Sequence, residues 1–179
     1  MTFDDNGAKS LEWYQQNHAP EYTIPELLSM AAQVDAGCEG LSALPCAGAY
    51  PGLTGFVHIK NRQYQHGHYV RAILESTAHS LFALVKALKN DSPLPPIVSS
   101  GGGSRSELWV TIKSDIIHSS LPADLRRGRA LIPACTESAC LGAAMMGALG
   151  TNLFGSYEDI VEAWVRLASP ALCGSIRCN

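Results

Sequence analysis

The sequence predicts an α/β fold with at least some parallel strand pairing. Three observations carry that expectation. Short apolar or β-branched runs alternate with helix-like segments, most clearly in the second half of the chain. A long segment places Val70, Ile73, Leu74, Leu81, Leu84, Val85 and Leu88 at the three-four spacing of one helical face. The stretch PPIVSSGGGSRSELW, Pro95 to Trp109, passes from a β-branched run through three consecutive glycines into a helix start. With 179 residues, 46% of them hydrophobic, the chain fits one domain with a substantial core.

The elements follow in order. Ser10 to His18 and Pro25 to Val34 look helical, separated by APEYTIP. The Gly- and Pro-rich stretch that follows holds apolar pieces at Leu41 to Leu44 and Phe56 to Ile59, which predict strands joined by turns. The long periodic helix ends at NDSPLPP, because proline cannot continue it. PIVSS predicts a short buried strand. After the glycines, Ser104 and Glu107 have the spacing of a capping box. Leu108, Ile112 and Ile116 would then face the core. RALIP predicts a further strand. TESACLGAAMMGALG predicts a helix with Ala139, Gly142, Ala143 and Gly147 on a smooth side, and Gly150 at its stop. SYEDIVEAWVRLASP predicts the last helix, with Ser156 and Asp159 at its start and Pro170 after its end. There is no internal repeat and no low-complexity linker.

Composition excludes several classes. The formal net charge is -3 and no basic stripe occurs, so nucleic acid is not an expected partner. No apolar run is long enough to span a bilayer, so no membrane partner is expected. The start MTFDDNGAKS is acidic and polar, unlike a signal peptide, which points to a cytoplasmic protein. Cys135/Cys140 and Cys173/Cys178 each have four residues between them, at the edge of zinc-ligand spacing. Cys140 lies in a packed-helix pattern, however, and with Cys38 and Cys46 the six cysteines are expected as reduced thiols.

Few side chains outside the glycine stretch suggest chemistry. His66 and His68 form an H-x-H, expected as a polar pair at a helix start. Glu75 and Asp115 are expected to be solvated or capping carboxylates. Ser119 and Ser120 have no identifiable base for nucleophilic work. The glycines are the feature to explain, since each costs backbone entropy and bare backbone before a helix lets a ligand approach closely. They do not open a P-loop, because no lysine follows. Nor do they complete a dinucleotide fingerprint, because Ser106 stands at the third glycine place.

SSGGGSRSELWVTIKSDII resembles the adenosine motif of the FGGY family of carbohydrate kinases. GHYVRAILES, Gly67 to Ser76, is similar to the later part of that family's second signature, with eight residues between Ile59 and His68. ESACLGAAMMGALGTNLFGSYEDIVEAWV resembles the helices after the adenosine motif, and GAKSLEWYQQ a glycine-led helix start earlier in the same lobe. The four motifs stand in family order and cover nearly the whole chain. Departures from the pattern are His58 where a glycine is usual, Thr54 where a small residue is usual, CAGAYPG after LP, and a long ADLRRGRALIPACTE link.

The resemblance implies a ribonuclease H-like (actin-like ATPase) lobe, a mixed sheet flanked by helices, with residues 1–179 as a single C-terminal-type lobe. It implies that Gly102 and Gly103 lie against adenosine, that Ser106 contacts adenine or ribose, and that Gly7 lies near the phosphates. Gly142 and Ala143 would pack their helix against the adenosine turn. The implied ligands are ATP with Mg2+ and a sugar, the GGGSRSELW stretch leaning toward the xylulokinase-like branch. The family's Asp-x-Gly-Thr and Gly-x-x-Asp stretches are absent from the 179 residues. The expectation is therefore a chain inactive by itself, completed by a missing N-terminal lobe or self-associating. The rival expectation is a relic that binds a nucleotide or a partner without turnover.

Overall fold

The computed structural model describes residues 8–45, 53–58, 63–88, 98–119, 131–135 and 137–168. Helix α1 spans Ala8–His18 and α2 spans Ile24–Ala32. Thr23 starts α2 with a complete capping box: its hydroxyl accepts from the Glu26 N–H, and the Glu26 carboxylate accepts from the Thr23 N–H at 2.7 Å. Strands β1 (Leu41–Pro45) and β2 (Leu53–His58) form an antiparallel pair, Ser42 opposite Val57 and Ala43 opposite Phe56. Leu41 and Ala43 are buried while Ser42 and Leu44 are exposed, the period-two alternation of a strand with one face on the core.

Helix α3, His66–Leu88, is the centre of the larger core. Val70, Ala72, Ile73, Leu74, Thr77 and Ala78 are all buried, more than one stripe, because α2, α4 and β1 pack around it. The second half of its apolar stripe, Leu81, Leu84 and Val85, is half-buried. Gly67 sets the closest helix contact. A Cβ added there would stand 2.7 Å from the Met30 carbonyl oxygen, so only a glycine lets α3 approach the end of α2 this closely.

Helix α4, Glu107–Ser119, buries Trp109, Val110, Ile112 and Ile117. Leu108 and Ile116 are half-buried against the same core. Val98 makes a parallel bridge to Leu131, and the Ser99 N–H donates to the Leu131 carbonyl at 2.8 Å. Strand β3 (Ile132–Pro133) pairs antiparallel with β4 (Leu167–Ala168). Between them lie α5, Ser138–Gly150, and α6, Tyr157–Trp164, which share a smaller core of Met145, Ala148 and Ile160. Ser156 caps α6 as expected, its Oγ accepting from the Asp159 N–H at 3.1 Å. The helix does not run to Ala168, however. Val165 turns extended, and Leu167 and Ala168 pair with β3 instead.

The architecture is α/β, with both parallel and antiparallel pairing among the described residues. No helix there is long and apolar enough to cross a membrane. Cys38 is buried, and burial, followed by the Glu75 carboxylate, pushes its thiol pKa up to about 12. Cys135 and Cys140 are free and exposed, while Cys46, Cys173, Cys178 and Pro170 lie outside the described residues.

Two outcomes follow from this packing. Gly67→Ala should lower stability by about 1–3 kcal/mol in urea denaturation, since the obstructing atom is helix backbone and cannot step aside. A disulfide thiol reagent should modify Cys135 and Cys140 in the folded protein but reach Cys38 only on unfolding. Rapid labelling of Cys38 under native conditions would contradict its burial.

Candidate functional site

The three glycines at the head of α4 are there for different reasons. Gly101 has φ +80° and ψ −168°, a region open essentially to glycine alone. Gly102–Arg105 form one 3₁₀ turn. It is closed by Ser104, whose N–H and Oγ–H both donate to the Gly101 carbonyl, at 3.0 and 2.7 Å. Ser104 is therefore buried and is not the helix cap. The cap is Ser106: its Oγ accepts from the Trp109 N–H at 3.2 Å, and its carbonyl accepts from the Val110 N–H at 3.0 Å. The expected Ser104/Glu107 box does not form because the 3₁₀ turn uses the first serine before the helix begins.

Gly102 is exposed, and a Cβ added to it would meet nothing within 4 Å. Gly103 is different. An added Cβ would lie 3.3 Å from two atoms of the Trp109 ring and 3.4 Å from Lys113 Nζ. Trp109 is only 4% exposed, so it cannot give way easily. Its Nε1 is buried with no hydrogen-bond partner among the described residues. The Lys113 ammonium sits 4.5 Å above the centre of the Trp109 ring, and burial lowers its pKa. Gly103 is thus bare to let its own helix pack beneath the turn, while Gly102 is bare toward open space.

The other expected site residues divide in the same way. Ser106 is half-buried and adjoins Gly102, but its oxygen already holds the Trp109 amide. Gly7 lies outside the described residues. Gly142 and Ala143 do not press α5 against the turn: Ala143 is exposed, and a Cβ on Gly142 would meet nothing within 4 Å. The small side of α5, with Ala139 and Gly147 also exposed, stays uncovered among the described residues. What joins this turn to the approach of α5 is the ion pair of Arg105 with Glu137 at 2.6 Å.

Away from the turn, Glu75 is more than a solvated carboxylate. Both its oxygens accept the Gly37 N–H at 3.1 Å, and Arg71 Nε donates to it at 2.9 Å. Asp115 is exposed on α4. Ser119 donates its hydroxyl to the Ile116 carbonyl, and Ser120 lies outside the described residues. His66 and His68 do stand at a helix start, and no group of three or more His, Cys, Asp or Glu among the described residues could hold a metal ion.

A family model for the C-terminal domain of the FGGY carbohydrate kinases matches residues 7–151. The chain belongs to that family. It is 25% identical over 167 residues to the xylulose kinase of Bacillus subtilis (strain 168), covering 89% of this chain and 32% of that one. It is 30% identical over 144 residues to the gluconokinase of the same organism, covering 76% and 26%. The crystal structure of xylulose kinase from Rhodospirillum rubrum superposes with a TM-score of 0.67 at 27% identity, over 89% of this chain and 32% of that chain. The fold is therefore the actin-like ATPase lobe of FGGY kinases. The chain spans about a third of the length of these relatives.

The glycine surroundings predict an ordered response to substitution. Gly101→Ala should cost about 1–3 kcal/mol through backbone strain. Gly102→Ala should stay within about 0.5 kcal/mol of the parent, having open space around it. Urea denaturation of the two variants decides this, and the reverse order would contradict the conformation of the turn.

Proposed function

We propose that this chain is the adenosine-binding lobe of an ATP-dependent sugar kinase. The observation that carries the proposal is Gly102, a residue bare toward open space, on a turn that enters a capped helix within the FGGY match. Its missing side chain lets a flat nucleoside lie on the backbone. Gly103 contributes from beneath, by letting the Trp109 ring stiffen the turn, and Ser106 offers a hydroxyl at the edge. Gly7 is proposed near the nucleotide phosphates. A xylulose-like pentulose is the favoured acceptor, which the relatives support only in part, since one of them is a gluconokinase.

Phosphoryl transfer is mainly positioning and charge stabilisation. Magnesium is proposed to arrive with the nucleotide as its complex. The catalytic base and most of the sugar pocket are proposed to come from an N-terminal lobe. By this proposal the 179-residue chain grips a nucleotide but does not turn it over. In a cell it would work in the cytoplasm.

ATP or ADP at millimolar concentration should raise the melting temperature by a few degrees, because a ligand that binds only the folded form stabilises it. Gly102→Val should abolish that rise while leaving the melting point of the free protein near the parent's. The 179-residue chain should consume no ATP in the presence of D-xylulose. Absence of any nucleotide shift would overturn the adenosine site, whereas xylulose-dependent turnover would overturn the division of labour between lobes.

A further inference from the structure

We propose that Lys113 is a positioning residue of the nucleotide site: its ammonium, seated over the Trp109 ring, clamps the glycine turn in the shape on which a nucleoside lies. The inference rests on the adenosine reading of the turn and adds a residue which that reading does not use.

Three groups meet at one point beneath the turn. Lys113 Nζ is 4.5 Å from the centre of the Trp109 ring. Two atoms of the same ring stand 3.3 Å from where a Gly103 Cβ would be, and Lys113 Nζ stands 3.4 Å from that point. The ammonium therefore lies against the ring and the turn together. Lys113 follows Trp109 by four residues on α4, so the two side chains share one face of the helix. The base of the clamp is itself fixed. Trp109 is almost wholly buried, and its N–H is held by the Ser106 cap.

The turn above is made of residues with much freedom to lose. Glycine gives up more backbone entropy on ordering than any other residue. The closed form is defined by Ser104, whose N–H and Oγ–H donate to the Gly101 carbonyl. The Arg105–Glu137 pair ties down the far end of the turn, but both side chains are exposed and solvent screens them. The contact on Gly103 is the firmer one, because a partly desolvated cation over a ring is screened less.

Charge, and not bulk alone, is what Lys113 brings. Burial works against its ammonium and lowers its pKa. The ring offsets that cost, since indole has the aromatic face that attracts a cation most strongly. Gly103 is bare toward Lys113, whereas Gly102 is bare toward open space, so Lys113 acts through the turn and not on the ligand. Affinity then falls in proportion to the fraction of chains whose turn is open, and the clamp keeps that fraction small.

The test uses the full 179-residue chain, ¹⁵N-labelled, with two variants. Lys113→Met keeps a long apolar stem and removes the charge, and Lys113→Arg keeps a cation. ADP is titrated into each, and exchange of the Ser104 and Asp159 amide hydrogens is followed without ligand. Lys113→Met should weaken ADP binding about three- to tenfold and speed Ser104 exchange by a similar factor, the worth of one partly buried cation–π contact. The Asp159 N–H, held by Ser156 at the start of α6, should exchange as in the parent. Lys113→Arg should bring both readouts back to within about twofold of the parent. If Lys113→Met binds ADP like the parent, or binds it more weakly with no change at Ser104, the inference falls and the adenosine site stands. It falls too if Lys113→Arg behaves like Lys113→Met. A parent chain without saturable ADP shifts overturns the adenosine site, and this inference with it.

Discussion

The contact of Gly67 with the Met30 carbonyl is the constraint on which the larger half of the structure depends. It brings the end of α2 onto the first turn of α3, with Val34 Cγ2 just 3.2 Å from where a Cβ would be. Two further residues continue the same face at four-residue intervals, Arg71 and Glu75. Arg71 orients Glu75, and Glu75 takes the Gly37 N–H. One face of one helix therefore fixes the exit of α2, the left-handed turn of Gly37 to Gly40 after it and the point where β1 begins. A looser α2–α3 contact would move Gly37 away from Glu75 and leave a strained turn without its anchor.

Energetics agree with that order of importance. Val70, Ile73 and Leu74 are completely buried, and burial of such a side chain contributes about 1.5–3 kcal/mol relative to exposure. The Arg105–Glu137 pair is short but has side chains 64% and 65% exposed. Solvent screening makes such a pair a weak fastener. Its value is geometric: it ties the glycine turn to the approach of α5 without closing the open side of Gly102.

What the sequence made legible follows from how local the cause is. The helical periods and the Ser156 cap need only neighbouring residues, and they are where expected. The Thr23-x-x-Glu26 box is equally local and stands in APEYTIPELL. The cap of α4 lies two residues later than the spacing predicts, because two serines compete and a 3₁₀ turn decides between them. β4 was unreadable, since LASP has no strand pattern and acquires its pairing from Ile132 and Pro133. The glycine turn is recognisable as a bend before a helix, but the separate roles of its glycines are not, because they depend on where Trp109 comes to rest.

The run of three glycines then has a physical account that one ligand could not supply. If a bound nucleoside required all three, each would face the same open space. Instead Gly101 supplies a backbone angle that strains any other residue, Gly103 supplies room for the Trp109 ring, and Gly102 is the one of the three with open space on its outer side and no such demand on its backbone angle. Packing a buried ring beneath the turn removes the flexibility that three glycines would otherwise bring. A rigid bare backbone loses little entropy when a flat ring settles on it, whereas a floppy one would lose much of the gain in ordering. The first and third glycines thus hold rigid the turn on which the second is bare, so the run of three is accounted for by packing and backbone angle together.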